Sequence, residues 1–180
     1  MSKAAVVIRQ DGEGERFWFA GGGVFTMKAS CAETGGSFAM WEDYVVGGKT
    51  TPLHMHPHME ETIYVLDGEI LVHVDGAEHR VGERGLFVAP RGVPHAFLVT
   101  SETAHLLAVI APGVGEAFYR SVSEPVTSAA DGSRPPDFAR LREAAQRSDS
   151  IELLGPSPFD LEEKLAAPTA GPSARPEHTG

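Results

Sequence analysis

Residues 48–68 read GKTTPLHMHPHMEETIYVLDG and residues 90–95 read PRGVPH. Together these two stretches decide how the chain folds. His54 and His56 stand two residues apart, a spacing that turns both rings to one face of an extended strand. Glu61 follows, past Pro57 and a short polar bend. His95 opens a later strand, entered through Pro90 and Pro94. Antiparallel folding of the segments between them would set that strand beside the first and bring three imidazoles and one carboxylate together. Such a set suits a divalent first-row transition metal: imidazole suits Fe, Ni, Cu and Zn, and the carboxylate extends the range to Mn. An ion held by about four protein ligands keeps about two positions for water, dioxygen or substrate. Glu60 competes with Glu61 for the carboxylate role, but only Glu61 leaves six residues before Gly68. His58 is expected to face solvent or to touch the site from outside.

Outward from these stretches, short apolar runs bounded by turn residues predict strands at 24–30, 37–46, 62–66, 69–74, 78–81, 86–89, 95–100 and 105–110. The Asp67-Gly68 and Asp75-Gly76 pairs suit the positive φ angles of tight hairpins. Many short strands with almost no helix among them give an all-β chain, an antiparallel sandwich or barrel. Helix is predicted only later, where Pro135-Pro136-Asp137 opens a run with Phe138, Leu141 and Ala145 at helical spacing. A shorter helical turn is expected at 115–121. Residues 155–180 hold five of the thirteen prolines, a composition that predicts a largely mobile tail with Phe159 and Leu161 docking locally. The expected division is a β domain over 1–122, a helical appendage over 123–154 and the tail over 155–180.

The pattern Gly48-x5-His54-x-His56-x4-Glu61-x6-Gly68, followed by Pro90-x-Gly92-x2-His95, resembles the two sequence motifs of the cupin superfamily. The resemblance covers roughly residues 38–110. It implies a cupin β-barrel, the double-stranded β-helix or jelly roll, with a C-terminal helical extension. It also implies that His54, His56, Glu61 and His95 bind a divalent metal (Fe, Ni, Mn, Cu or Zn) inside the barrel mouth. Two positions depart from the motif. Arg84 stands where the second motif usually has glycine, and Val99 where it usually ends in asparagine. Neither position supplies a ligand in the family.

Composition sets the outer limits. A net charge of −10 and a pI near 5.2 argue against nucleic-acid binding, which needs a cationic surface, and against a polybasic membrane clamp. The most apolar stretch, 104–114, is short and carries Pro112 and Gly113, so no bilayer span is expected. Residues 4–8 are too brief for the apolar core of a signal peptide. One cysteine, Cys31, cannot form an internal disulfide, and a cytoplasmic location with Cys31 as a small core residue is expected. His73 and His79 fall on hairpin strands as surface residues, His105 packs near the barrel, and His178 lies in the tail. The site itself should be locally positive, because the ion's double charge exceeds that of one carboxylate.

Strand parity puts Phe97 on the face of His95, which makes it the first candidate for substrate contact. Phe25, Met27 and Met40 join it as candidate wall residues, with core filling as the alternative. Apolar walls around one polar anchor suit a small organic substrate. The chain looks most like single-domain bacterial cupins of the quercetin 2,3-dioxygenase-like group. The supporting residues are Pro112-Gly113-Val114-Gly115, then Phe118-Tyr119, and the Pro136-Asp137-Phe138 helix running toward Leu153-Leu154-Gly155-Pro156. In this group the C-terminal segment is expected to cover the barrel mouth. The resemblance implies a dioxygenase acting with dioxygen on a small enolisable aromatic or flavonol-like substrate, with Glu61 as both ligand and proton acceptor. A non-oxidative isomerase, cyclase or decarboxylase is the alternative, and a non-catalytic ligand-binding module a third. A homodimer is expected, with 4–9 as a candidate exchanged edge strand.

Overall fold

Residues 4–127 and 135–159 are described in the computed structural model. In chain order the strands are β1 (Glu15–Phe19), β2 (Val24–Ala29), β3 (Ala39–Val46), β4 (Leu53–Met55), β5 (Glu60–Asp67), β6 (Glu69–Val74), β7 (Ala77–Gly82), β8 (Leu86–Ala89), β9 (His95–Val99) and β10 (Thr103–Ala111). Then come α1 (Glu116–Ser121), β11 (Ser123–Pro125), α2 (Phe138–Gln146) and β12 (Glu152–Gly155). They form two antiparallel sheets, ordered β11-β1-β2-β3-β10-β5-β8 and β12-β4-β9-β6-β7. This is the jelly roll that the motifs imply, with a small helix near the C-terminus. No helix among the described residues is long and apolar enough to cross a membrane.

Period-2 alternation builds the interior. On β5, Glu61, Ile63 and Val65 are buried while Glu60 is exposed and Thr62, Tyr64 and Leu66 are only half-buried; on β10, Ala104, Leu106, Ala108 and Ile110 are buried. β9 is buried at all five positions because both of its faces are covered. One face carries Phe97 and Val99 into the core with Ile63, Val65 and Leu106. The other packs Ala96 and Leu98 against Leu71 and Phe159. Phe159 thus docks as expected, whereas Leu161 and His178 lie outside the described residues.

The two Asp-Gly pairs differ in kind. Asp75-Gly76 is a two-residue hairpin joining β6 to β7, with φ of 51° and 74°. Asp67-Gly68 is not a hairpin, because β5 pairs with β10 and β8 while β6 pairs with β7 and β9. It is the corner where the chain crosses from one sheet to the other. Gly68 takes φ +84°, and a Cβ there would lie 2.4 Å from the Thr103 carbonyl oxygen. Gly68→Ala is therefore expected to destabilise the fold by about 2 kcal/mol or more through strain and backbone clash. A lower urea midpoint at unchanged m-value would show it; an unmoved midpoint would contradict it.

Arg84, in the motif's glycine position, keeps the left-handed backbone that glycine would adopt, with φ +62°, at a cost of about 1–2 kcal/mol. Val99 is fully buried in the core, so the missing asparagine is replaced by packing.

Three strands escape sequence reading. β1 reads ERFWF, whose consecutive aromatic residues hide the alternation. β11 reads SEP and ends in a proline, tolerated because it pairs only with β1 at the sheet edge. β12 joins the second sheet by pairing with β4. α2 begins where the Pro-Pro-Asp signal places it: the Asp137 carboxylate accepts from the Arg140 amide at 3.0 Å, an N-cap. Residues 4–9 form no strand; the Ala5 amide donates to the Glu33 carbonyl at 2.8 Å, and Arg9 donates to the Lys28 carbonyl at 2.6 Å. Cys31 is half-buried rather than in the core.

Candidate metal centre

His54 lies on β4 directly opposite His95, the first residue of β9. His56 follows just beyond β4, where its carbonyl accepts from the Gly92 amide at 2.9 Å and so ties the two motif segments together. Glu61 enters from β5, in register with Ile110 of β10 and Ala89 of β8. Alternation decides between the two glutamates. Glu61 points inward and is 7% exposed, whereas Glu60 points outward and pairs with Arg91 at 3.4 Å.

The four side chains are buried together, with one ligand atom from each lying within 4.8 Å of all the others. Glu61 Oε2 is 3.0 Å from His95 Nε2 and 3.6 Å from His56 Nε2. Each histidine is fixed from behind. The Nδ1 atoms of His54, His56 and His95 bond to the carbonyls of Pro52, Ser150 and Val93 at 2.9, 3.0 and 2.8 Å. A carbonyl can only accept, so each Nδ1 carries hydrogen, and Nε2 is the atom through which each ring, when neutral, offers a lone pair to the centre. His56 Nε2 is buried without a hydrogen-bond partner, an unusual cost for a polar atom unless a cation takes it. The donor set therefore fits a divalent transition metal.

Electrostatics agree with this geometry. Burial pushes His54 down, reinforced by His95, to a pKa of about 3, so it remains a neutral donor. Burial alone would raise the Glu61 carboxyl; the His56 and His95 rings reverse that and hold it well below the usual range. His95 moves the other way, because Glu61 outweighs its burial. A metal ion at the centre would balance the Glu61 charge in its turn.

Sequence reasoning missed four contributors to this cavity. Tyr119, on α1, donates its hydroxyl to Glu61 Oε1 at 3.3 Å and packs against Trp41 with ring centroids 4.7 Å apart. Ser150, after α2, orients His56 through its carbonyl. Asp43 and Lys49 line the wall. Parity along β3 could have found Asp43 and Trp41, which share the inward face with Ala39 and Val45.

Of the candidate wall residues, Phe97 and Phe25 border the cavity, together with Trp41, Ile63 and Leu106. Met27 and Met40 do not. Met27 is buried in the aromatic core at 2% exposure. Met40 falls between the inward residues Ala39 and Trp41, so the pleat turns it to the outer face opposite Val109. Phe138 and Leu141 of α2, with Ile151 and Leu153, close the C-terminal side. His58 is exposed and borders a second cleft beside Arg142 and Glu152. His105 stacks on Tyr44 with centroids 3.9 Å apart, His73 meets Phe159 edge-on, and His79 is exposed.

Residues 40–110 match the family model described as "Cupin domain". Over 122 residues the chain is 25% identical to quercetin 2,3-dioxygenase of Bacillus subtilis (strain 168). That match covers 68% of this chain and spans 36% of the length of that relative. A solved RmlC-like cupin from Shewanella frigidimarina NCIMB 400 superposes with a TM-score of 0.53 at 19% identity, covering 61% of this chain and 94% of that one. This second likeness is one of fold.

Proposed function

We propose that the protein, whose residues 40–110 match the family model of a cupin domain, is a metal-dependent dioxygenase acting on a small enolisable aromatic or flavonol-like substrate. The observation that carries this reading is the orientation of the donors. Three imidazoles, each pinned through Nδ1 to a backbone carbonyl, aim Nε2 at one point beside Glu61 Oε2. That point lies at the end of an apolar cavity. The similarity to quercetin 2,3-dioxygenase supports the choice of reaction, though it spans 36% of that protein.

His54, His56, His95 and Glu61 would hold the ion, whose contribution is to bind the substrate's hydroxyl oxygen and lower its pKa. The two Glu61 oxygens have separate duties. Oε2 faces the histidines, while Oε1 accepts from the Tyr119 hydroxyl. On this reading Oε1 would receive the substrate's hydroxyl proton, with Tyr119 holding the carboxylate plane. Phe25, Trp41 and Phe97 exclude water from the reacting face, which strengthens every charge interaction within. A cytoplasmic location and a homodimeric assembly belong to the same proposal.

Oxygen uptake tests this reading. The chain, loaded in turn with Fe, Ni, Mn or Cu and given a flavonol panel, is expected to consume dioxygen in step with substrate loss for at least one metal. No uptake with any of the four overturns the dioxygenase reading. Turnover that persists under strict anaerobiosis replaces it with a non-oxidative isomerase, cyclase or decarboxylase.

A further inference from the structure

The cavity contains a second pair of ionisable groups that the metal chemistry leaves unused. Asp43, on the inward face of β3 in register with Phe25, and Lys49, in the loop before β4, both line its wall. Among the described residues each is tethered by a single hydrogen bond. Trp41 Nε1 donates to Asp43 Oδ2 at 3.2 Å, and Lys49 Nζ donates to the Gly22 carbonyl at 2.6 Å while lying 5.7 Å from the Phe19 ring centroid. Burial pushes the Asp43 carboxyl up and the Lys49 ammonium down, each opposed by the other's charge, yet no hydrogen bond or contact ion pair joins them among the described residues.

Two opposite charges in an apolar cavity ordinarily close into direct contact. Here each is anchored to a different loop or strand and retains hydrogen-bonding capacity. The ammonium has two further N–H groups, and the carboxylate has a second oxygen. An ionised substrate group would be repelled by one of the two, a carboxylate by Asp43 and an ammonium by Lys49. A neutral hydroxyl serves both, because it donates and accepts at once. Asp43 is also within electrostatic reach of Glu61 and Tyr119, so the pair and the metal centre share one small cavity with Trp41, Ile63 and Leu106 along its walls.

We propose that Asp43 and Lys49 recognise a neutral hydroxyl on the substrate, remote from the oxygen that faces the metal centre. The hydroxyl donates to Asp43 and accepts from Lys49. The substrate class is thereby narrowed to a small enolisable ring compound bearing a second, distal hydroxyl. The inference rests on the metal-centred reading of the cavity.

Two hydroxypyrones supply the test. Kojic acid and allomaltol share the same chelating oxygens and differ in one distal hydroxyl. Zinc, which does no redox chemistry, keeps the assay to binding, and isothermal titration of the zinc-loaded full chain gives both dissociation constants. Kojic acid is expected to bind about tenfold more tightly, the worth of a pair of hydrogen bonds made in a dry site. Lys49→Met should lower the ratio towards one, with Lys49→Arg restoring part of it. Should Lys49→Met fail to fold, Asp43→Leu, which removes the acceptor, is read in the same way. Equal binding of both pyrones by the native protein overturns the hydroxyl dyad alone. Binding of neither overturns it together with the metal-end reading on which it rests.

Discussion

Protein carrying His95→Ala should emerge from purification with its metal content reduced from about one ion per chain to a small fraction of that. Loss of a single outer hydrogen bond to a metal-ligating histidine costs about 10–100-fold in affinity, and removal of the ligand itself should cost at least that. His56→Ala should lose metal to a similar degree. The two substitutions part in their effect on the fold. His95 is the hydrogen-bonded partner of buried Glu61 at 3.0 Å, whereas His56 Nε2 lies 3.6 Å away with no hydrogen bond. Removing His95 strands a buried carboxylate, at about 3 kcal/mol in the metal-free state. Removing His56 leaves the His95–Glu61 bond in place. Elemental analysis alongside chemical denaturation reads both quantities. Native metal content in either variant would overturn the ligand assignment, and equal stability losses would show that the His95–Glu61 pair is not a private interaction.

The sequence could reveal this site because its chemistry follows the pleat. A His-x-His pair at period 2, and a histidine opening the strand opposite, specify converging side chains once the strands pair, and β4 and β9 pair at His54 and His95. The choice of Glu61 over Glu60 is likewise a matter of parity. At Met40 the pleat turns the expected wall residue outward, and Trp41 lines the cavity in its place. Asp67-Gly68 shows a different limit. A local turn signal fixes the backbone conformation at Gly68 but not which strand comes next to which. The close approach of the Thr103 carbonyl, 35 residues away in the chain (68 to 103), makes it a corner between sheets.

Less was legible wherever a residue acts through its backbone. Ser150 orients His56 by its carbonyl, a role that any residue type could fill, so no sequence signal marks it. The same holds for Pro52 and Val93 behind the other two rings. β11 and β12 are too short for a pattern of their own and exist because β1 and β4 offer unpaired edges. Lys49 is a lysine in a glycine-flanked turn, a setting that ordinarily means solvent. Its place in the cavity follows only from the approach of the Gly22 loop, whose carbonyl holds the ammonium.

Glu61→Gln is expected to lower turnover by about 10²–10⁴-fold, the range for loss of a positioned acid–base group, with a far smaller effect on the fold. The physical grounds are local. The amide occupies the carboxylate's space, its oxygen can still accept from the Tyr119 hydroxyl, and its NH2 can donate to a His95 Nε2 lone pair. The substitution also removes a buried charge, so His95 no longer has the carboxylate that raises its pKa and can stand as a neutral donor like His54. On the proposed reading, what is lost is a negative ligand and a proton acceptor at Oε1. Turnover and melting temperature measured on the same preparation separate the two accounts. A large fall in turnover with a shift of a few degrees supports Glu61 as the proton acceptor. Proportionate losses of both would make it a structural anchor for His95 and Tyr119, and the proton would then have to leave by another group.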